Sequence, residues 1–155
     1  MCTLTYIPVG KAHYLITSNR DESGMRAKAL PPEIYLLNNN KLIYPKDPVG
    51  GGSWIATSEN GLTACLLNGA YKPHITLNSY KKSRGLIVLD LFNYKDPIQF
   101  SKEINLKGVE PFTLVMIKND LILEMKWTGK TKNIRFLETS VPHIWVSEQL
   151  YSKEN

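Results

Sequence analysis

The stretch "SWIATSENGLTACLLNG", residues 53–69, decides how the rest of the chain reads. Two runs rich in Thr, Ala, Ile and Leu flank Asn60-Gly61, a dipeptide suited to the left-handed backbone of a tight hairpin. The pattern predicts a β-hairpin with Asn60-Gly61 as its two-residue turn. On its N-terminal side, "CTLTYIPV" (2–9) and "AHYLITSN" (12–19) flank "GK" and predict another hairpin. Residues 20–33, with their charges, Gly24 and Pro31-Pro32, read as a loop, "KLIYP" (41–45) as a short strand, and "DPVGGG" (47–52) as a loop.

On the C-terminal side the pattern changes. "SRGLIVLDLFNYK" (83–95) has the apolar density of a buried helix, and Asp96-Pro97 reads as an N-cap followed by proline at the first helical position. "PFTLVMIKNDLILEMKWTG" (111–129) then returns to strands around Asn119-Asp120, with "KNIRFLE" (132–138) and "HIWVSE" (143–148) as further strands. Strands, helices, strands is the order of an α+β fold with mostly antiparallel sheet, not of a βαβ dinucleotide fold. The glycines at 50–52 lack the lysine and the following helix of a phosphate loop and read as a backbone turn.

A chain of 155 residues, 43% hydrophobic and 21% charged, suits one domain, 1–155, with its own core. The net charge is +5, but the lysines are scattered and the densest cluster, "YKKSRG" (80–85), is short. Without a basic stripe and interleaved aromatics, no nucleic-acid partner is expected. Cys2 and Cys65 form neither a disulfide framework nor a zinc spacing, and His13, His74 and His143 are dispersed, so neither metal nor cofactor is expected. No signal-peptide pattern and no run near the ~18 apolar residues of a membrane span stands in the sequence. The expected location is the cytoplasm.

Cys2 is the first residue that can carry chemistry. Removal of Met1, usual before a small second residue, would leave a thiol and a free α-amine on one residue. The amine titrates at about 7.7–8.0 and the thiol at about 8.5, so the amine can take the thiol's proton without a histidine. The plainer reading is a small buried strand residue. Arg20 would favour the thiolate and Asp21 would orient the ammonium, if the second strand breaks where strict alternation sends them to opposite faces. Otherwise they form a salt-bridged loop. Asn68, closing the "LTACLLN" strand, can donate its amide to an oxyanion or simply form a turn before Gly69. Arg84, opening the helix, can bind an anionic substrate group or lie on the surface.

"MCT" at the start, "NRDE" at 19–22, "GGSW" at 51–54, "ENG" at 59–61, "LLN" at 66–68 and "SRG" at 83–85 occur in this order. The ordered set resembles the NRDE-motif family, which includes transport and Golgi organisation 2 homologues, over residues 1–150. That family is distantly similar to N-terminal nucleophile (Ntn) hydrolases such as choloylglycine hydrolases and acid ceramidase. The resemblance implies an Ntn-hydrolase-like αββα sandwich with mostly antiparallel sheets, left incomplete at the C-terminus. It implies Cys2 as nucleophile, Arg20 and Asp21 as its support, and Asn68 as oxyanion donor. Asn19, Glu22 and Arg84 are the candidate substrate-binding residues, and Glu22 competes with Asp21. Arg20 and Asp21 are adjacent here, whereas the hydrolases space the pair, and Ser147-Glu148 stands where a later asparagine is expected. The implied activity is hydrolysis of an amide or thioester bond in a small acylated substrate. The alternative, from the family's link to lipid and haem handling, is a non-catalytic carrier of a lipid, acyl-CoA or haem ligand.

Overall fold

The computed structural model describes residues 2–10, 13–21, 24–77 and 79–147. Ten strands and two short helices occur there: β1 Thr3–Gly10, β2 His13–Asn19, β3 Leu30–Leu37, β4 Asn40–Lys46, β5 Ile55–Ser58, β6 Thr63–Asn68, α1 Arg84–Asp90, α2 Pro97–Glu103, β7 Phe112–Lys118, β8 Leu121–Trp127, β9 Lys132–Leu137 and β10 His143–Val146. A single 3-10 turn, Leu91–Asn93, extends α1. The strands form two antiparallel sheets, a small one ordered β10-β1-β2 and a large one running β3 to β9 in sequence order. The fold is α+β.

Alternation along the strands builds the layers. Leu4 and Tyr6 of β1 and Trp145 of β10 meet Cys65, Leu67, Val115, Ile117 and Ile122 of the large sheet, forming the core between the sheets. The opposite face of the large sheet, with Leu42, Ala56, Ala64, Leu114, Met116, Leu123 and Met125, packs against Ile87, Val88, Leu91, Phe92 and Phe100 of the helical segment. Central strands β7 and β8 are therefore apolar on both faces, which explains the dense runs "FTLVMI" and "LILEM". Among the described residues the helices lie on one side of the large sheet.

The 53–69 hairpin forms, but its turn differs from the expected one. Gly61 N–H donates to Ser58 O at 3.0 Å and Ser58 N–H to Leu62 O at 2.9 Å, with Gly61 at φ +74°. This is a three-residue loop, a turn followed by a left-handed glycine, in place of a two-residue turn on Asn60-Gly61. Asn119-Asp120 does form a two-residue turn, with Lys118 opposite Leu121 and Asn119 at φ +52°. The α2 cap forms as expected, with Asp96 Oδ1 accepting from Gln99 N–H at 2.8 Å and Pro97 at the helix start. The loop expected over 20–33 ends early, because Leu30, Pro31 and Pro32 begin β3. Proline lacks the N–H that a central strand needs, and β3 tolerates two because it is an edge strand with a register shift between Leu30 and Glu33.

Candidate active site

β1 begins, and β2 and β6 end, around one pocket of about 380 Å³, which the loops next to them enclose. Cys2, directly before β1, lines it and packs against the edge of the core between the sheets. Its neighbour is β10. Cys2 N–H donates to Ser147 Oγ at 3.3 Å, and Ser147 N–H donates to Cys2 O at 2.9 Å. Ser147 is 4% exposed, so the backbone of Cys2 is held by a residue that solvent barely reaches. The Cys2 thiol donates to the backbone carbonyl of Asp21 at a sulfur–oxygen distance of 3.7 Å.

β2 stops at Asn19, and regular alternation stops with it. Asn19, Arg20 and Asp21 therefore all line the pocket, together with Asn68 from the end of β6 and Arg84 from the start of α1. Glu22 lies outside the described residues. The guanidinium of Arg20 lies 4.6 Å from the centre of the Trp54 ring and 3.4 Å from Asp47 Oδ2. Arg84 donates to Pro111 O at 3.1 Å and pairs with Glu110 Oε2 at 3.1 Å, while Glu110 Oε1 meets His74 Nε2 at 3.0 Å. Among the described residues no hydrogen bond engages the Asn68 side-chain amide, and its NH2 can serve a bound carbonyl oxygen.

Asp47, Trp54, Arg26 and Ser147 were not singled out by the sequence as site residues. Asp47 organises one wall of the pocket. Its Oδ2 accepts from Arg26 Nη2 at 2.6 Å, and its Oδ1 accepts from Val49 N–H at 3.0 Å. Burial pushes the Asp47 carboxyl up, but the Arg26 hydrogen bond, the Val49 and Gly50 N–H groups and the Arg26 charge outweigh it and hold the pKa below 3.8. The glycine run then becomes intelligible. Asp47 N–H donates to Gly52 O at 2.9 Å and Gly51 N–H to Asp47 O at 2.8 Å. Gly52 lies against Gly85 at the start of α1, where a Cβ would come 2.1 Å from the Gly85 carbonyl carbon, and Ser53 N–H donates to Gly85 O at 3.1 Å. "GGSW" and "SRG" are thus two halves of one backbone contact, which sets the pocket wall against the helix that carries Arg84.

The other cysteine is of a different kind. Cys65 sits mid-strand in the core, and burial pushes its thiol up to about 12. Among the described residues no group of three or more His, Cys, Asp or Glu could hold a metal ion, and no helix is long and apolar enough to cross a membrane.

The family model for transport and Golgi organisation 2 matches residues 1–153. The chain belongs to that family. The match takes in every residue that lines the pocket, from Cys2 to Glu110. A search of the curated proteins found no match to the chain.

Proposed function

We propose that the chain is an Ntn-hydrolase-like enzyme that hydrolyses an amide or thioester bond of a small acylated substrate, with Cys2 as nucleophile. One observation carries this reading: Cys2, its backbone nitrogen held by Ser147, lines the same pocket as Arg20, Asp21, Asn68 and Arg84. Removal of Met1 would free the Cys2 amine beside the Ser147 hydroxyl, which can both accept and donate. The amine takes the thiol proton, and the sulfur attacks the substrate carbonyl, forming a C–S bond as the carbonyl electrons move to oxygen. The Asn68 amide donates to that oxygen. Collapse of the intermediate breaks the bond to the leaving group, which takes a proton from the ammonium, and water then releases the acyl group. Arg20 and Asp21 support the nucleophile, and Asn19 and the cationic side chain of Arg84 bind polar and anionic parts of the substrate. A chain with only two cysteines and no disulfide between them fits a reducing compartment, and the cytoplasm is the location we propose.

The test is Cys2→Ala. It leaves the core packing of β1 in place and should abolish turnover of amide and thioester substrates while the circular dichroism spectrum is unchanged. Turnover at the parent rate in that variant would end the proposal. A second reading, a carrier of a lipid, acyl-CoA or haem ligand, draws on exposed Met25, Val49 and Ile75, which stand on the segments bordering the pocket. Stoichiometric binding of an acyl-CoA, recovered unchanged from both the parent and Cys2→Ala, would favour that reading.

A further inference from the structure

The four outer strands of the two sheets are not protected alike. β3 carries Pro31 and Pro32 with a register shift, β9 carries Lys132 and Arg135, and β10 is only four residues long. Prolines, irregular register, cations and shortness are the devices that keep a sheet edge from pairing. β2, "HYLITSN", spans seven residues without proline, lysine or arginine, and its pairing with β1 is regular over 14–19. Among the described residues no strand pairs with its outer side. The surface beside that edge is apolar. In the large sheet Thr63 pairs with Thr57, Thr57 with Ile43 and Ile43 with Ile34, a row that crosses β6, β5, β4 and β3. Tyr14 of β2 meets this row at its β6 end, with the Tyr14 hydroxyl 3.4 Å from Thr63 Oγ1. The small sheet stops there. Ile43 and Ile34 beyond it are 47% and 70% exposed, and Leu36, on the same face of β3 as Ile34, is 71% exposed.

A strand edge thus stands over an uncovered apolar shelf. An added strand completes both: its backbone pairs with β2, and its alternate side chains settle on the shelf. The dimensions select the occupant. Two strands wide and as long as β2, the shelf measures roughly 10 Å by 24 Å, about 240 Å². That is too little for a dimer of folded copies, each of which buries ~800 Å² in a stable interface. A second copy also does not fit. Antiparallel pairing of β2 with β2 of a second copy puts both large sheets in one layer, where β3 and β4 of each project past β2 and collide. A single extended segment is one strand wide, about 4.8 Å, and meets no such obstacle. Its main-chain hydrogen bonds along β2 supply what the small apolar area lacks. We propose that the β2 edge is a docking site for an extended peptide segment of a partner protein, whose apolar side chains at alternate positions cover Ile43, Ile34 and Leu36.

The experiment adds a blocked heptapeptide of alternating valine and threonine to the ¹⁵N-labelled full chain and follows the backbone amides of β2, β3 and β4. The expected result is a saturable shift of the β2, Ile34 and Ile43 amides, with slowed hydrogen exchange along β2. The same peptide methylated on every backbone nitrogen cannot pair and should give no shift. Affinity for the unmethylated peptide should fall roughly tenfold or more in Ile34→Lys and in Ile43→Lys. Ile34 is 70% exposed, so Ile34→Lys keeps the test valid if Ile43→Lys does not fold. No saturable shift, equal binding of the methylated peptide, or unchanged affinity in Ile34→Lys would overturn the assignment. So would shifts of the same amides that follow chain concentration without peptide, which would give the edge to a second copy.

Discussion

Replacing Gly52 by alanine tests how the pocket wall is held. A Cβ at this position would lie 2.1 Å from the Gly85 carbonyl carbon, 2.4 Å from its oxygen and 2.5 Å from Leu86 N. All three are backbone atoms, so no side-chain rotation relieves the contact. Carbon atoms pack at about 3.5–4.0 Å, so relief from 2.1 Å needs a separation of the two segments by about 1.4 Å. That movement breaks the bond from Ser53 N–H to Gly85 O. Overpacking of this kind costs about 1–3 kcal/mol, and a backbone-on-backbone clash belongs at the upper end. For a chain of this size, 3 kcal/mol corresponds to a melting temperature lower by roughly 6–12 °C. Gly85→Ala is the comparison, because its Cβ would meet neighbours at 3.1 to 3.3 Å and needs shifts of only a few tenths of an ångström. Urea unfolding of both variants should rank Gly52→Ala well below Gly85→Ala. A Gly52→Ala chain within about 0.5 kcal/mol of the parent would refute the argument that this contact fixes the wall.

Two further perturbations act on hydrogen-bonded carboxylates. Asp47→Asn removes the carboxylate that holds Arg26 and Arg20 and should cost about 2 kcal/mol near neutral pH. The Asp47 pKa is lowered in the folded state, so its contribution is fully present above about 3.8 and is lost as the pH falls through the folded value. The stability difference between parent and variant should therefore shrink in unfolding curves taken near pH 3, and a constant difference down to that pH would contradict the Arg26–Asp47 account. Trp145→Phe keeps the ring packing but removes the only hydrogen bond to the Glu124 carboxylate among the described residues, and should cost about 1–3 kcal/mol in the same assay, whereas an unchanged midpoint would mean that the bond is not a tie between the sheets.

Local signals carried much of the fold. Alternation over 2–19 and the turn residues near Gly10 predict the β1–β2 hairpin, and Asp96-Pro97 predicts the start of α2, because each depends only on residues a few positions apart. β3 was hidden by Pro31-Pro32, since tolerance of proline depends on which strand lies at the sheet edge, and that is decided by the whole sheet. The three-residue loop at 59–61 was hidden for a smaller reason: an Asn-Gly pair serves both the two-residue turn and the glycine-terminated longer one. At the site, Cys2, Arg20, Asp21 and Asn68 stood out by residue type at strand ends. Ser147 did not, because its bond to Cys2 joins residues 145 positions apart. Nor did Asp47, whose setting in "DPVGGG" reads as an ordinary turn until Arg26 and Gly85 are brought beside that loop.

The measurement that bears most directly on the central claim is the intact mass of the purified chain before and after brief iodoacetamide treatment near neutral pH, with peptide mapping of the label. The account predicts a chain that lacks Met1 and takes up one label rapidly at Cys2, while Cys65, buried and with its thiol pushed up to about 12, stays unlabelled until the protein is unfolded. A chain that retains Met1, with Cys2 no more reactive than Cys65, would contradict the N-terminal nucleophile reading.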